Sequence, residues 1–218
     1  SLLGPPPPPM TPGAYRRCRD YRGPFDVLAR RLGEGPVLAL ADARVLALHP
    51  HARRALSRNN VTLVALRAGE GLKTLRALEV LVQRVLAAPR KLTVLALGGG
   101  TVGDLATVFA HTFKRGVARL IHAPTTLLAA VDSSVGGKGA LNVAGTKNAL
   151  GVFHSADEAW LCAELLTTLS PAQRREGRLE AWKMVVTLYA KRWRRWCQTP
   201  PDDAELIGVH AIHHTDSD

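Results

Sequence analysis

Four short apolar runs limit what this chain can fold into: PVLALA at 36–41, VTLVAL at 61–66, LTVLAL at 92–97 and ARLIHA at 118–123. Each reads as a buried strand, and the segments between them have helical character. VLALHPHARRAL (45–56) fits a helix interrupted by Pro50, and VGDLATVFAHTF (102–113) is a further helix. In KTLRALEVLVQRVLA (73–87), Leu75, Leu78, Leu81 and Val85 fall on one helical face. Apolar strands alternating with helices require a parallel sheet covered on both faces, with right-handed crossovers. The fold class is therefore α/β.

Three stretches are expected. Residues 1–13 form a proline-rich arm, 14–168 the α/β domain, and 169–218 the start of an all-helical part whose first helix opens at Pro171. Apolar residues make up 46% of the chain, which suits a globular fold, and no apolar run approaches the length of a bilayer span. The N-terminal SLLGPPPPPM lacks the basic and apolar regions of a signal peptide. Cys18, Cys162 and Cys197 are odd in number, widely spaced and form no CxxC pair, which fits a reducing cytoplasm better than a disulfide framework. The net charge of +11 raises a nucleic-acid partner. The basic residues are scattered, however, and the one cluster, KRWRRW at 191–196, lies outside the motif-rich region. Small anionic ligands are the expected partners, with no nucleic acid and no membrane.

Three motifs carry chemistry. In LTVLALGGGTVGDLA a buried strand runs into Gly98, Gly99 and Gly100, and a helix opens around Gly103-Asp104. That arrangement suits a nucleotide or phosphate at a strand's carboxyl end and a helix N-terminus. Taken alone it marks a nucleotide or phosphate loop, with a simple glycine-rich strand-to-helix turn as the lesser alternative, and it is not the G-x-G-x-x-G fingerprint. The second motif, APTTLLAAVDSSVGGKGALNVAGTKN (123–148), packs hydroxyls, an Asp, two lysines and two asparagines among glycines. It suits an anionic, hydroxyl-rich ligand, or is a long polar loop. The third, Glu180 and Lys183 in GRLEAWK, shares one helical face and alone is a surface ion pair.

Together, VDSSVGGK followed by an Asn and by Lys147-Asn148, GGGxxGD before it, PTTLL between them and the later E-x-x-K resemble the 3-dehydroquinate synthases, over about residues 36–190. The resemblance implies a parallel-sheet NAD-binding domain and a helical metal and substrate domain. It implies conversion of 3-deoxy-D-arabino-heptulosonate 7-phosphate to 3-dehydroquinate and phosphate in the shikimate pathway. The cofactors implied are NAD and a divalent metal, zinc or cobalt, in a cytoplasmic homodimer. Position by position, Asp42, Glu70, Lys73, Gly99, Gly100, Asp104, Thr125, Thr126, Ser133, Lys147 and Thr168 match cofactor contacts. Asp132, Lys138, Asn148 and Lys183 match substrate contacts, and Arg115 matches a residue reaching the neighbouring subunit's phosphate site. Glu180 matches a metal ligand.

There are departures. Arg44 replaces an Asn two residues after the ribose-binding Asp, and the common K-T-G-V-N reads Lys138-Gly139-Ala140-Leu141-Asn142, with one hydroxyl lost. Arg178 stands two residues before Glu180. The segment bearing the family's two metal-binding histidines is absent, so the expectation is a truncated and impaired chain. By their order His210, His213 and His214 match the helix before that segment and are read as bystanders. Two alternatives stand beside this reading: another sugar phosphate cyclase, and a non-catalytic NAD-binding fragment.

Overall fold

The computed structural model describes residues 18–87, 91–113, 115–134, 136–188 and 201. The arm at 1–13, the KRWRRW cluster and His210, His213 and His214 lie outside the described residues. Six parallel strands form the main sheet, in the order β1-β8-β5-β4-β2-β3. These are β1 (Arg19–Arg22), β2 (Val37–Asp42), β3 (Val61–Leu66), β4 (Leu92–Gly98), β5 (Val117–Pro124) and β8 (Glu158–Leu161). All four strands read from the sequence are present within a residue or two of their expected bounds. Strands β2 and β4 run almost wholly buried, and β5 is buried from Leu120 onward, as strands covered on both faces must be.

Helices α1 (Phe25–Arg31), α2 (Ala43–Leu48), α3 (Pro50–Ala55), α4 (Leu75–Val85), α5 (Gly100–Thr112) and α6 (Pro171–Leu188) complete the described fold. Pro50 splits the 45–56 pattern into two helices and becomes the first residue of α3, where its missing N–H costs nothing. In α4, Leu81 and Val85 are buried while Leu75 is half exposed. Leu75 sits in the first turn, beside the capping Thr74, whose side chain accepts from Ala77 N at 3.1 Å. The apolar stripe therefore turns away from the core at its N-terminal end.

One core layer packs α4 and α5 on one face of the sheet, through Leu81, Val85, Leu105 and Phe109. The other packs α1, α2 and α3 on the opposite face, through Phe25, Leu28, Leu46 and Leu56. On β8, beside the edge strand β1, Glu158 is fully buried and bound by Arg19 (3.2 Å), Arg31 (3.1 Å), Arg119 (3.6 Å) and the Trp160 indole (2.9 Å). Burial pushes its carboxyl up, but the Trp160 hydrogen bond and the arginines outweigh that and hold it low.

Two parts of the polar segment 123–148 are regular structure rather than loop. Residues Ala129–Ser133 form a π-helical turn. Strands β6 (Lys138–Val143) and β7 (Thr146–Phe153) pair antiparallel as a separate hairpin. Its tight turn is Ala144-Gly145, both at positive φ (49° and 78°), which suits the twist of a two-residue hairpin loop.

Candidate functional site

Parallel α/β sheets present their ligands at the carboxyl ends of the strands, and the expected residues gather there. Asp42 ends β2 and caps α2, accepting from Arg44 N at 2.9 Å. Gly98 ends β4, and Gly99 caps the 13-residue helix α5. Gly99 faces Thr126, and Gly100 faces the Ser133 hydroxyl. Thr125 is buried and its N–H donates to Gly98 O at 3.0 Å, joining the two strand ends. Thr126 accepts from Ala129 N at 3.2 Å and caps the π-helical turn.

Lys73 is the centre of a second cluster. Its side chain is 5% exposed, and its ammonium lies 2.7 Å from Asp104 on α5. It also donates to Asn148 Oδ1 on β7 at 2.5 Å. Burial raises the Asp104 carboxyl above its ordinary range, and the Lys73 ammonium works against that rise. Glu70 is held below its ordinary value, first by the hydrogen bond from the Asn142 side chain at 3.0 Å. Lys147 contributes to that lowering from across the hairpin.

The third cluster sits where α6 lies on the π-helical turn. A Cβ on Gly177 would stand 2.5 Å from Leu127 Cβ and 2.7 Å from Leu128 N, so only glycine allows this approach. Ala181, one turn on, is fully buried there. The contact brings Glu180 and Lys183 to Asp132, and the Lys183 ammonium bonds Glu180 at 2.6 Å. Loss of solvation raises the Asp132 carboxyl; Glu180 adds to the rise, while Lys183 and Lys138 oppose it. Arg178, the unexpected basic neighbour, is exposed.

Two expected residues stand apart. Thr168 bonds His49 (Oγ1 to Nε2, 3.1 Å) rather than joining the Lys73 cluster. Arg115 lies in the turn between α5 and β5, at the opposite end of the strands from these clusters. A cavity of about 380 Å³, lined in part by Asp26, Arg30, Glu34 and Arg58, also lies at that far end and contains none of the expected residues.

Sequence reasoning missed several participants. His122 is buried within the apolar run of β5, where a single polar letter does not interrupt the strand pattern. It contacts Thr107 of α5 (Nε2 to Oγ1, 3.3 Å), and burial, aided by His154, holds its imidazole down at about 4. Gly139 lies flat on the same Thr107: a Cβ there would meet Thr107 Cβ at 2.7 Å. The methyl and hydroxyl that K-T-G-V-N carries on the hairpin are thus met by a threonine on the helix. Asn142 was read only as part of a motif, although an Asn in a strand facing Lys147-Asn148 is a signal for irregular pairing.

Two tests of ligand fit follow from these contacts. A dinucleotide suits the first cluster. No side chain caps the α5 N-terminus at Gly99, so its first backbone N–H groups are left to a diphosphate. Beneath them, a void of about 10 Å³ is lined by Gly98, Gly99, Gly103, His122, Ser133 and Ser134. The buried Ser134 hydroxyl finds no partner among the described residues. A divalent metal is not accommodated in the same way, because no group of three His, Cys, Asp or Glu side chains converges among the described residues. Glu180 is the expected ligand, and Lys183 occupies one of its oxygens.

Comparison with known proteins agrees with this geometry. The family model described as the 3-dehydroquinate synthase N-terminal region matches residues 63–176. The 3-dehydroquinate synthase of Endomicrobium trichonymphae is 37% identical over 194 residues, covering 84% of this chain and 54% of the relative. That of Paracoccus denitrificans is 44% identical over 150 residues, covering 66% of this chain and 41% of the relative. The chain spans about half the length of these curated relatives. Among solved structures, 2-deoxy-scyllo-inosose synthase complexed with carbaglucose-6-phosphate, NAD⁺ and Co²⁺ is similar at a TM-score of 0.66 and 29% identity. That match covers 75% of this chain and 47% of the solved one.

Proposed function

This chain belongs to the 3-dehydroquinate synthase family, and from that premise we propose that it forms the NAD-binding half, with part of the substrate site, of a 3-dehydroquinate synthase. The reaction is the conversion of 3-deoxy-D-arabino-heptulosonate 7-phosphate to 3-dehydroquinate and phosphate. The observation that carries the proposal is the Lys73–Asp104–Asn148 cluster beside the Gly99–Gly100 helix start, which sets cofactor-side and substrate-side groups within one hydrogen-bonded unit.

Bound NAD⁺ supplies a reversible hydride acceptor for a transient alcohol oxidation. Asp42 takes ribose hydroxyls at the end of β2, while Gly99 and Gly100 offer backbone N–H groups to the diphosphate. Asp104, oriented by Lys73, holds the nicotinamide-side ribose, with Glu70, Thr125, Thr126, Ser133, Lys147 and Thr168 as further contacts. Asp132, Asn148, Lys138 and Lys183 line the sugar phosphate side, where two ammonium groups balance the substrate's carboxylate and phosphate. Arg115, at the far end of the sheet, serves the phosphate site of a second subunit in a homodimer. Glu180 would supply one carboxylate ligand to the divalent metal. Lys147-Asn148 favours this substrate over that of other sugar phosphate cyclases.

Titration calorimetry with NAD⁺, and with zinc as a second titrant, tests the proposal on this chain. NAD⁺ binds, and Asp104→Ala weakens it by on the order of tenfold or more. A folded chain that takes up no NAD⁺ would overturn the reading.

A further inference from the structure

The hairpin pairs regularly at both ends and irregularly in the middle. Leu141 pairs with Leu150 and Val143 with Thr146, so Asn142 alone opposes Lys147, Asn148 and Ala149. The surplus residues form a bulge, the device by which a strand re-aims side chains beside a site. Asn148 enters it in a left-handed conformation, at φ 54°. That conformation carries a cost which the surroundings must offset.

Asn142 is what the bulge closes on. Its Oδ1 accepts from Asn148 N at 2.9 Å. Its Nδ2 donates to Glu70 O at 3.2 Å and to Glu70 Oε2 at 3.0 Å. Its own N–H donates to Lys73 O at 2.7 Å. The side-chain amide has one orientation only, since the NH₂ end alone can face the carbonyl and carboxylate of Glu70. One side chain therefore spends both of its polar atoms joining Glu70 to Asn148, and its backbone holds Lys73, which in turn bonds Asn148.

We infer that Asn142 is a positioning residue: it ties the cofactor-side segment Glu70–Lys73 to the bulge presenting Lys147 and Asn148, so that the two halves of the site are set by one joint. The inference rests on the function proposed above for its ligands, though the joint itself does not. Its removal loosens NAD⁺ binding even though Asn142 is no cofactor contact, and frees the Asn148 amide.

Asn142→Asp is the discriminating change, since it keeps the shape and the acceptor for Asn148 N–H. It replaces the donor to Glu70 with a second carboxylate. The charged groups around the introduced carboxyl are Glu70, Lys73, Lys147 and, behind Lys73, Asp104. NAD⁺ affinity is measured by calorimetry between about pH 8 and pH 5, with Asn148 amide exchange followed by NMR. The expected result is a loss of on the order of tenfold at the high end that shrinks on acidification, as the introduced carboxyl gains a proton to donate to Glu70. The parent's affinity changes less over the same range. Parent-like affinity at pH 8, or a loss that is identical at every pH, overturns the inference. If the parent itself takes up no NAD⁺, it is the functional reading that fails; the joint is then judged by Asn148 amide exchange in Asn142→Ala, which removes the acceptor, accelerated if the joint exists and unchanged if it does not. Should Asn142→Asp not fold, Asn142→Ser, which loses the reach to Glu70, is read by the same titration, and unchanged affinity again overturns the inference.

Discussion

At the scale of single residues, this site is built from close approaches as much as from charges. Gly139 shows it most directly, because the space above its Cα is already filled by Thr107. Gly139→Ala is expected to destabilise the chain by about 1–3 kcal/mol, the usual cost of overpacking, as measured by urea denaturation. An unchanged midpoint would mean that β6 does not rest on α5 as described. The same contact explains why K-G-A-L-N could be read only as a loss from the sequence. A motif records which hydroxyl is absent from the hairpin, while the threonine filling that space lies some thirty positions earlier, on another element. Charge pairs were more legible. Glu180 and Lys183 read alone as an ion pair, and they form one. What the sequence could not give was their approach to Asp132, which depends on how closely α6 sits.

That approach is a matter of elements. Helix α6 meets the π-helical turn through Gly177 and Ala181, four residues apart on one face. Gly177→Ala should push the helix outward and cost about 1–3 kcal/mol by the same denaturation measurement. It should also lower the Asp132 pKa, because solvent returns to the carboxyl and Glu180 withdraws, which outweighs the simultaneous withdrawal of Lys183; carboxyl chemical shifts followed against pH would show whether it does. Of the elements themselves, β2, β3, β4, β5, α4 and α5 were legible, as were the α2–α3 stretch broken at Pro50 and the start of α6 at Pro171, since a long alternating series of apolar strands and periodic helices has few other solutions. The others were less so, each for its own reason. Strand β1 is RDYR, with almost no apolar content, and β8 is a four-residue EAWL. The β6–β7 hairpin is exposed along most of β7, so no burial imprinted an alternating pattern on it. Gly98, Gly99 and Gly100 lie at a strand end and helix start as read from the sequence, because a glycine-rich strand-to-helix junction fixes its own geometry locally. Lys147 and Asn148 were identified by motif, but the bulge that aims them is set by pairing with a different strand.

For the whole molecule, buried ionisable groups set how stability responds to acid. His122 has a folded value of about 4 against an ordinary 6.5. The unfolded chain therefore binds this proton first as pH falls, and stability is lost across the window from about 6.5 down to about 4, by on the order of 3 kcal/mol. Above that window the contribution is fully present. Urea midpoints of the parent and of His122→Gln, compared at pH 7 and pH 4.5, should show a smaller acid loss in the variant; equal losses would place the effect elsewhere. Burial also raises the thiols of Cys18 and Cys162 to about 12, so neither is a reactive thiolate at neutral pH. No helix among the described residues is long and apolar enough to cross a membrane. The strand order has a consequence in time. Among the described residues strand β1 pairs only with β8, and Arg19 meets Glu158 across 139 positions of chain. At a ribosomal pace of roughly 5–20 residues per second, the first strand waits about 7–30 s for its partner to be made. Until then the emerging sheet carries the β5 side as an open margin, and the arginines that will surround Glu158 have nothing to close on. Nascent chains halted before residue 158 should accordingly remain sensitive to protease along β1, and those halted well beyond it should not.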